Sequence, residues 1–123
     1  MTTEISQRRY VTTAGLSLAA DVAGPEGAPA VVLLHGGGQT RHSWTAAMRR
    51  LAEEGYRVIN YDARGHGESD WAPDGDYSLA RLAGDLGDIL ATVDAPVALV
   101  GASMGGMTSF YAIGHAGQPI ALL

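Results

Sequence analysis

The sequence predicts an α/β fold, a mostly parallel sheet with helices on both faces. Continuous apolar runs, such as residues 30–34 and 97–100, lack the polar alternation of half-exposed strands and are typical of strands buried on both faces. Segments with helical spacing of apolar residues alternate with these runs, which is the βαβ pattern of a parallel sheet. The length of 123 residues suits one domain without an internal repeat.

Composition excludes several function classes. The chain is 46% hydrophobic and 17% charged, which is typical of a globular protein, and no apolar run approaches the roughly 20 residues of a membrane span. A net charge of −5 argues against nucleic acid or an anionic membrane as partner. Residues 1–9 lack the apolar core of a signal peptide, and there are no cysteines. These features fit a cytoplasmic protein without requiring one.

The first elements are a hairpin and a buried strand. Residues 9–13 and 16–21 flank Ala14 and Gly15, which predicts two edge strands joined by a tight turn. Proline and glycine in residues 24–29 indicate a loop. The apolar run 30–34 then leads directly into a histidine and three glycines at positions 35–38.

A helix and a second buried strand follow. Trp44, Met48 and Leu51 fall at helical spacing, with Ser43 predicted as the N-cap and Gly55 as the residue that ends the helix. The next apolar run, residues 56–61, predicts a strand that ends in the polar segment 62–69.

The last third predicts two helices around a third buried strand. Ser78 is a candidate N-cap for a helix whose apolar face comprises Leu79, Leu82, Leu86, Ile89, Leu90 and Val93. Residues 97–100 predict the strand, residues 104–115 a helix, and residues 119–123 the beginning of another strand. In such a sheet the ligand lies beyond the carboxyl ends of the strands, so the segments after residues 34, 61 and 100 should converge there.

The turn after residue 100 is the candidate reactive centre. Gly101-x-Ser103-x-Gly105 places a serine at a sharp strand-to-helix corner, where its hydroxyl is exposed and its backbone is strained. The first N–H groups of the helix, including that of Met104, favour an oxyanion at this point. The alternative is a glycine-rich turn without chemistry, since the chain contains 17 glycines.

Three motifs together resemble the N-terminal signatures of the α/β-hydrolase superfamily, in that family's order. They are His35-Gly36-Gly37-Gly38, Asp62-x-Arg64-Gly65-His66-Gly67-x-Ser69 and Gly101-x-Ser103-Met104-Gly105-Gly106. The likeness covers nearly the whole chain and is closest to esterases, lactonases and cofactor-free perhydrolases, so no cofactor or metal is expected. Haloalkane dehalogenases and epoxide hydrolases are similar but carry aspartate where this chain has Ser103.

The resemblance implies roles for these residues. Ser103 would be the nucleophile that attacks a small-molecule acyl substrate, and the N–H groups of Met104 and Gly37 would form the oxyanion hole. His35 would anchor the glycine loop rather than act as a base, and a flexible turn remains the alternative for Gly36 to Gly38. Asp62, Arg64 and His66 would fix the neighbouring loop, the alternative being an acid and base pair beside the serine.

The remaining histidines do not supply an obvious base. His42 could line a substrate pocket with Gly38 and Trp44, or could have a capping or surface role, and His115 lies near a helix end, where it would stabilise the helix dipole. In the superfamily the acid and the histidine follow the serine later in the chain.

We therefore expect residues 1–123 to be the N-terminal part of a hydrolase domain, with the acid, the base and any cap further on. The isolated chain is then expected to be inactive and to self-associate through an open sheet edge. The alternative is a truncated or degenerate product that acts only by association.

Overall fold

The computed structural model describes residues 4–116 and 120–122, and contains the predicted alternation of strands and helices. In chain order the elements are β1 (Ser6–Val11), β2 (Ser17–Ala23), β3 (Ala30–Leu34), a 3-10 helix (Arg41–Trp44), α1 (Thr45–Glu53), β4 (Arg57–Tyr61), α2 (Leu79–Leu90), β5 (Val97–Gly101), α3 (Met104–Ala116) and β6 (Ile120–Leu122). Of the last predicted strand, Pro119 and Leu123 lie outside the described residues.

The strands form one mixed sheet in the order β1-β2-β4-β3-β5-β6. The four strands β4, β3, β5 and β6 are parallel, and the hairpin β1-β2 joins β4 in the antiparallel sense. The prediction that both hairpin strands lie at the edge is wrong for β2, which pairs with β1 on one side and with β4 on the other. The near-complete burial of β2 has the same cause, since its second edge is covered.

Helices cover both faces of the sheet, as the sequence predicts. Val32 and Leu34 of β3 pack in a cluster with α2 and α3, whereas Val31 and Leu33 pack in a second cluster with α1. Successive strand residues point to opposite faces, so an unbroken apolar strand serves both cores. Each fully buried aliphatic side chain stabilises the fold by about 1.5–3 kcal/mol.

The helix ends agree with the sequence in two places and differ in two, one of which is Val93, predicted in the helix but lying beyond the end of α2 at Leu90. Ser78 caps α2 by accepting a hydrogen bond from the Arg81 N–H, and Gly55 adopts φ +96° just beyond α1. Ser43 is not an N-cap, because the 3-10 helix precedes α1 and its own cap is Thr40, which accepts the His42 N–H. Among the described helices, none has the length and apolar character required to cross a bilayer.

The carboxyl ends of β4, β3 and β5 are level. Leu34 pairs with Tyr61 on one side and with Gly101 on the other. The three segments that carry the motifs therefore leave the sheet at one edge and at one height.

Candidate active site

Ser103 occupies the turn between β5 and α3 in a strained backbone conformation. Its φ is +51°, and no other described residue except glycine has a positive φ. Such a conformation costs roughly 1–3 kcal/mol and persists only where the surroundings enforce it. The side chain is exposed, and no hydrogen bond joins its hydroxyl to another described residue. The turn thus presents a free hydroxyl at the edge where the three loops meet.

Two glycines allow this turn to form. A Cβ on Gly101 would lie 2.5 Å from the carbonyl carbon of Gly105, and a Cβ on Gly105 would overlap the carbonyl oxygen of Leu34. Gly106 is different, since a Cβ there would meet only ordinary contacts at 3.5 Å or more. The crossing of β5, α3 and β3 therefore requires glycine at positions 101 and 105 but not at 106.

In the glycine loop after β3, two N–H groups are engaged and one is free. The Gly36 N–H donates to Gln39 Oε1 at 3.0 Å, and the Gly38 N–H donates to His66 Nε2 at 3.1 Å. The N–H of Gly37 forms no hydrogen bond within the described part of the chain. Gly37 is therefore the donor of this loop that remains available to a ligand.

Gly37 lies beside the start of α3. A Cβ on Gly37 would be 3.8 Å from both Cβ and Sδ of Met104. The Met104 N–H also lacks a partner among the described residues, whereas the Gly105 N–H donates to the Ala102 carbonyl at 2.9 Å. Two unpaired N–H groups on adjacent segments, next to a free serine hydroxyl, are the parts that an oxyanion hole requires.

The imidazole of His35 is neutral and holds the glycine loop in place. Its Nδ1 lies 2.7 Å from the Gly36 carbonyl oxygen, and its Nε2 accepts the Ala63 N–H at 3.0 Å. Since Nε2 is an acceptor, the proton is on Nδ1. The ring is almost fully buried, and burial lowers the pKa of His35, with the nearby His66 acting in the same direction. His35 is thus a loop anchor, not a proton acceptor facing solvent.

The loop after β4 is held by Asp62. Its Oδ1 accepts the Arg41 N–H at 2.7 Å, and its Oδ2 accepts the Glu68 N–H and pairs with the Arg41 guanidinium. The fully buried Arg41 also forms a hydrogen-bonded ion pair with Glu68 at 2.8 Å and an ion-pair contact with Asp21 at 3.2 Å. Both oxygens of the Asp62 carboxylate are therefore engaged in holding the loop.

Arg64 anchors the same loop to α2. Its Nε and Nη2 atoms donate to the two oxygens of Asp85 at 2.6 and 2.7 Å, a bidentate pair in which both side chains are buried. Gly65, at φ +75°, lies against the ring of Tyr77, where a Cβ would be only 2.5 Å from Cε1. The loop is built as a scaffold.

His66 does not form an acid and base pair with Asp62 or Arg64. Its Nδ1 lies 3.0 Å from the backbone carbonyl of Arg64, and its Nε2 accepts the Gly38 N–H. Both ring nitrogens are thus engaged with the backbone. The structure therefore shows no acid and base pair among the described residues of this loop.

A small cavity lies beneath Met104. It admits a volume of about 10 Å³, roughly one water molecule, and Tyr61, Arg64, Asp85 and Thr108 are among its lining residues. Burial, and then the charge of Asp85, raise the pKa of Tyr61. The cavity is too small for a substrate.

The predicted pocket residues lie elsewhere. His42 is exposed on the 3-10 helix, Trp44 packs against the core cluster under α1, and the Gly38 N–H is bonded to His66. None of the three lines the cavity beneath Met104. Their part in binding substrate stays a prediction. The side chain of His115 lies outside the described residues, so its predicted dipole role is also open.

Sequence reasoning missed Arg41, Asp21 and Asp85. Each is isolated in the sequence and looks like a surface charge, but all three are buried in ion pairs. The one available signal was the carboxylate of Asp62 at the end of a buried strand, because a charge there needs a partner.

Comparison with known proteins identifies the family to which the fold belongs. The model of the alpha/beta hydrolase fold family matches residues 29–122. Among curated proteins, the 3-oxoadipate enol-lactonase 1 of Acinetobacter baylyi is 35% identical over 88% of this chain, and Esterase Rv0045c of Mycobacterium tuberculosis is 42% identical over 67%. The chain spans 40% of the length of the lactonase and 27% of that of the esterase.

A solved structure shows the same arrangement of elements. The epoxide hydrolase A of Mycobacterium thermoresistibile is 32% identical and superposes with a TM-score of 0.84, covering 97% of this chain and 39% of its own. The similar proteins thus include a lactonase, an esterase and an epoxide hydrolase by name.

Proposed function

The chain belongs to the alpha/beta hydrolase family, and from that premise we propose that it carries the nucleophile and oxyanion hole of a serine hydrolase acting on an ester-type acyl substrate. The observation that carries the proposal is Ser103 itself, an exposed and unpaired hydroxyl on a strained turn. The unpaired N–H groups of Gly37 and Met104 beside it support the second part. Esterase and lactonase relatives favour the same substrate class.

The reaction would follow from this geometry. Ser103 Oγ attacks the acyl carbonyl while its proton passes to a general base, and the carbonyl oxygen becomes an oxyanion held by the two N–H groups. Collapse of this intermediate expels the alcohol, which takes the proton from the base, and leaves an acyl-serine. Water then cleaves the acyl-serine by the same route in reverse. One oxyanion donor lowers the barrier by about 2.7–4 kcal/mol.

The base is proposed to lie outside residues 1–123. Both ring nitrogens of His35 and of His66 are hydrogen-bonded to backbone groups, and His42 has no hydrogen bond to Ser103. The similar proteins are more than twice as long as this chain, which leaves room for an acid and a histidine that follow the serine.

A serine also separates this chain from epoxide opening. Epoxide hydrolases of this superfamily resemble the chain but use an aspartate at the position of Ser103. We therefore propose acyl hydrolysis in spite of the overlap in structure with an epoxide hydrolase.

The second candidate is a catalytically inactive protein that acts by association. Two apolar side chains of α3, Met107 and Phe110, are 56% and 68% exposed, and β6 is one of the two outer strands of the described sheet. Exposed apolar surface beside an open strand edge favours contact with another protein surface.

Labelling with a fluorophosphonate probe and hydrolysis of p-nitrophenyl esters separate the two candidates. Residues 1–123 alone should show neither reaction, because loss of the triad histidine costs on the order of 10⁶ in turnover. A longer version that includes an acid and a histidine should show both, with Ser103→Ala abolishing both.

Rapid labelling of residues 1–123 that Ser103→Ala removes would contradict the proposed position of the base. Failure of the longer version in both assays would overturn the hydrolase proposal and favour association.

A further inference from the structure

His35 and His66 exchange hydrogen bonds between two loops. His35 follows β3 and accepts the N–H of Ala63, which follows β4, whereas His66 lies in the loop after β4 and accepts the N–H of Gly38, which follows β3. The ring centroids are 5.0 Å apart. The two imidazoles thus form a reciprocal clasp between the glycine loop and the Asp62 loop.

The clasp fixes the two peptide groups on either side of Gly37. The Gly36 carbonyl, which accepts from His35 Nδ1 at 2.7 Å and from the Gln39 N–H at 3.1 Å, belongs to the same peptide as the Gly37 N–H. In a trans peptide the C=O and the N–H point in opposite directions, so holding this carbonyl aims the Gly37 N–H away from His35. His66 holds the next peptide through the Gly38 N–H.

We propose that His35 and His66 are positioning residues that orient the Gly37 N–H for oxyanion binding. Protonation of either imidazole of the clasp would free this N–H from that orientation. This inference rests on the proposed function, since it assigns a control to the same oxyanion hole. It requires both rings to be neutral with the proton on Nδ1, because each Nε2 accepts an N–H.

Protonation removes the acceptor. A proton on His66 Nε2 would face the Gly38 N–H, donor against donor, and a proton on His35 Nε2 would face the Ala63 N–H in the same way. Either peptide would then turn away. Because the rings are close, a charge on His66 disfavours a charge on His35.

The charge of Asp62 opposes this by raising the pKa of His35, but burial is the largest influence on that ring and lowers its pKa. The charged or titratable groups packed around the clasp are His35, His66, Asp62, Arg41, Glu68, Arg64 and Asp85. The buried carboxylates of Asp62 and Asp85 are each paired with an arginine, and Glu68 is directed to Arg41. Since glycine has no side chain to restrain it, the peptides around Gly37 are held by the two imidazoles and by the hydrogen bonds between Gln39 and Gly36.

The test uses nuclear magnetic resonance of the full protein with ¹⁵N-labelled histidine and glycine. Near pH 8 both rings should show the Nδ1–H tautomer. On lowering the pH from about 8 to about 5, the range in which histidine gains a proton, the Gly38 amide signal should move with the protonation of His66. An Nε2–H tautomer at high pH, or a Gly38 amide that does not follow His66, would overturn the proposal.

Two variants supply a kinetic readout. His66→Leu removes the acceptor and should lower kcat by about 10- to 100-fold with little change in KM, because the oxyanion forms only during reaction. His66→Gln offers an amide oxygen that does not titrate, so it should recover most of the lost kcat and abolish the Gly38 amide shift. A Gln variant no better than Leu, or one whose Gly38 amide still titrates, would contradict the clasp.

The outcomes remain separable from those of the proposed function. If no ester is hydrolysed by any version, the hydrolase proposal fails while the tautomers and the Gly38 titration still decide the clasp. If hydrolysis is present and the Gly38 amide ignores His66, the clasp alone fails.

Discussion

Two loops leave the same edge of the sheet and use their polar groups in opposite ways. In the loop after β4, the side chains of Asp62, Arg64, His66 and Ser69 all have partners within the protein. The glycine loop and the elbow, which is the turn between β5 and α3 that carries Ser103, differ in this respect. The Gly37 N–H and the Ser103 hydroxyl have no hydrogen-bond partner among the described residues. A polar motif at a sheet edge is therefore not by itself reactive, and the unpaired group beside a fully paired scaffold is the candidate for chemistry.

The contrast extends to backbone strain. Positive φ falls on glycine throughout the loop after β4, where glycine adopts it at little cost, whereas at the elbow it falls on Ser103. Changes at the buried ion pairs of the scaffold loop should thus reduce stability, whereas changes at Ser103 should reduce activity. Four experiments can break or sharpen this distinction.

The largest effect is expected from Ser103→Ala in a version of the protein that hydrolyses esters. Turnover should fall on the order of 10⁶-fold, or roughly 8 kcal/mol of barrier. The free energy of unfolding should stay constant or rise, because no hydrogen bond is lost and active-site strain is often relieved by such changes. Steady-state kinetics and thermal melts measure the two effects, and a lower Tm would show that the serine also has a structural task.

Gly105→Val should prevent stable folding. The added side chain would overlap the Leu34 carbonyl, which is backbone and cannot move aside, so a loss beyond about 4 kcal/mol is expected. The matched control is Gly106→Ala, one residue further along α3, where a Cβ has room.

The control should be neutral or stabilising by up to about 1 kcal/mol, since alanine is the better helix former. Urea unfolding ranks the two variants. Equal losses at both positions would argue against the close crossing of α3 and β3.

Arg41→Met should destabilise the protein by about 3–5 kcal/mol. It leaves the buried carboxylates of Asp62 and Asp21 without their cation. Arg50→Met is the control, because Arg50 is 79% exposed and its pair with Glu54 spans 3.8 Å.

Exposed pairs of this type contribute about 0.3–0.5 kcal/mol. The loss in free energy of unfolding should therefore be about ten times larger for Arg41→Met than for Arg50→Met. A small loss for Arg41→Met would mean that the scaffold loop does not depend on its ion pairs.

The smallest effect concerns pH. Burial lowers the pKa of His35 below its usual 6.5, so the unfolded chain binds more protons than the native one as the pH falls through that value. The contribution of neutral His35 to the free energy of unfolding is full above about pH 6.5. It is lost as the pH falls through the lower pKa that His35 has in the native protein.

Tm measured from pH 8 down to about pH 5, above the titration of most carboxylates, should decrease. His35→Gln should flatten this slope, because its amide oxygen accepts the Ala63 N–H without titrating. An unchanged slope would assign the pH dependence to another group.

The sequence was informative where a motif is local. The elbow, the glycine run and the cap at Ser78 can each be predicted from a segment of no more than six residues. The reason is that strand-to-helix turns and caps depend on neighbouring residues. The buried state of Arg41 was not readable, since its partners Asp21 and Asp62 lie 20 residues before and 21 residues after it in the chain. The error at Ser43 has the same origin, because Asp62 captures the Arg41 N–H and starts the 3-10 helix early.

The level ends of β4, β3 and β5 also bear on how such a chain can change in evolution. Leu34 stands opposite Tyr61 and Gly101, so one residue inserted into any of these strands would displace its loop by about 3.3 Å and turn its side chains to the other face. Insertions between residues 71 and 77, a segment outside the strands, would leave that alignment intact. Length variation among descendants of this sequence should accordingly accumulate in the connecting segments, while the three strands keep their residue count even as their apolar side chains are exchanged.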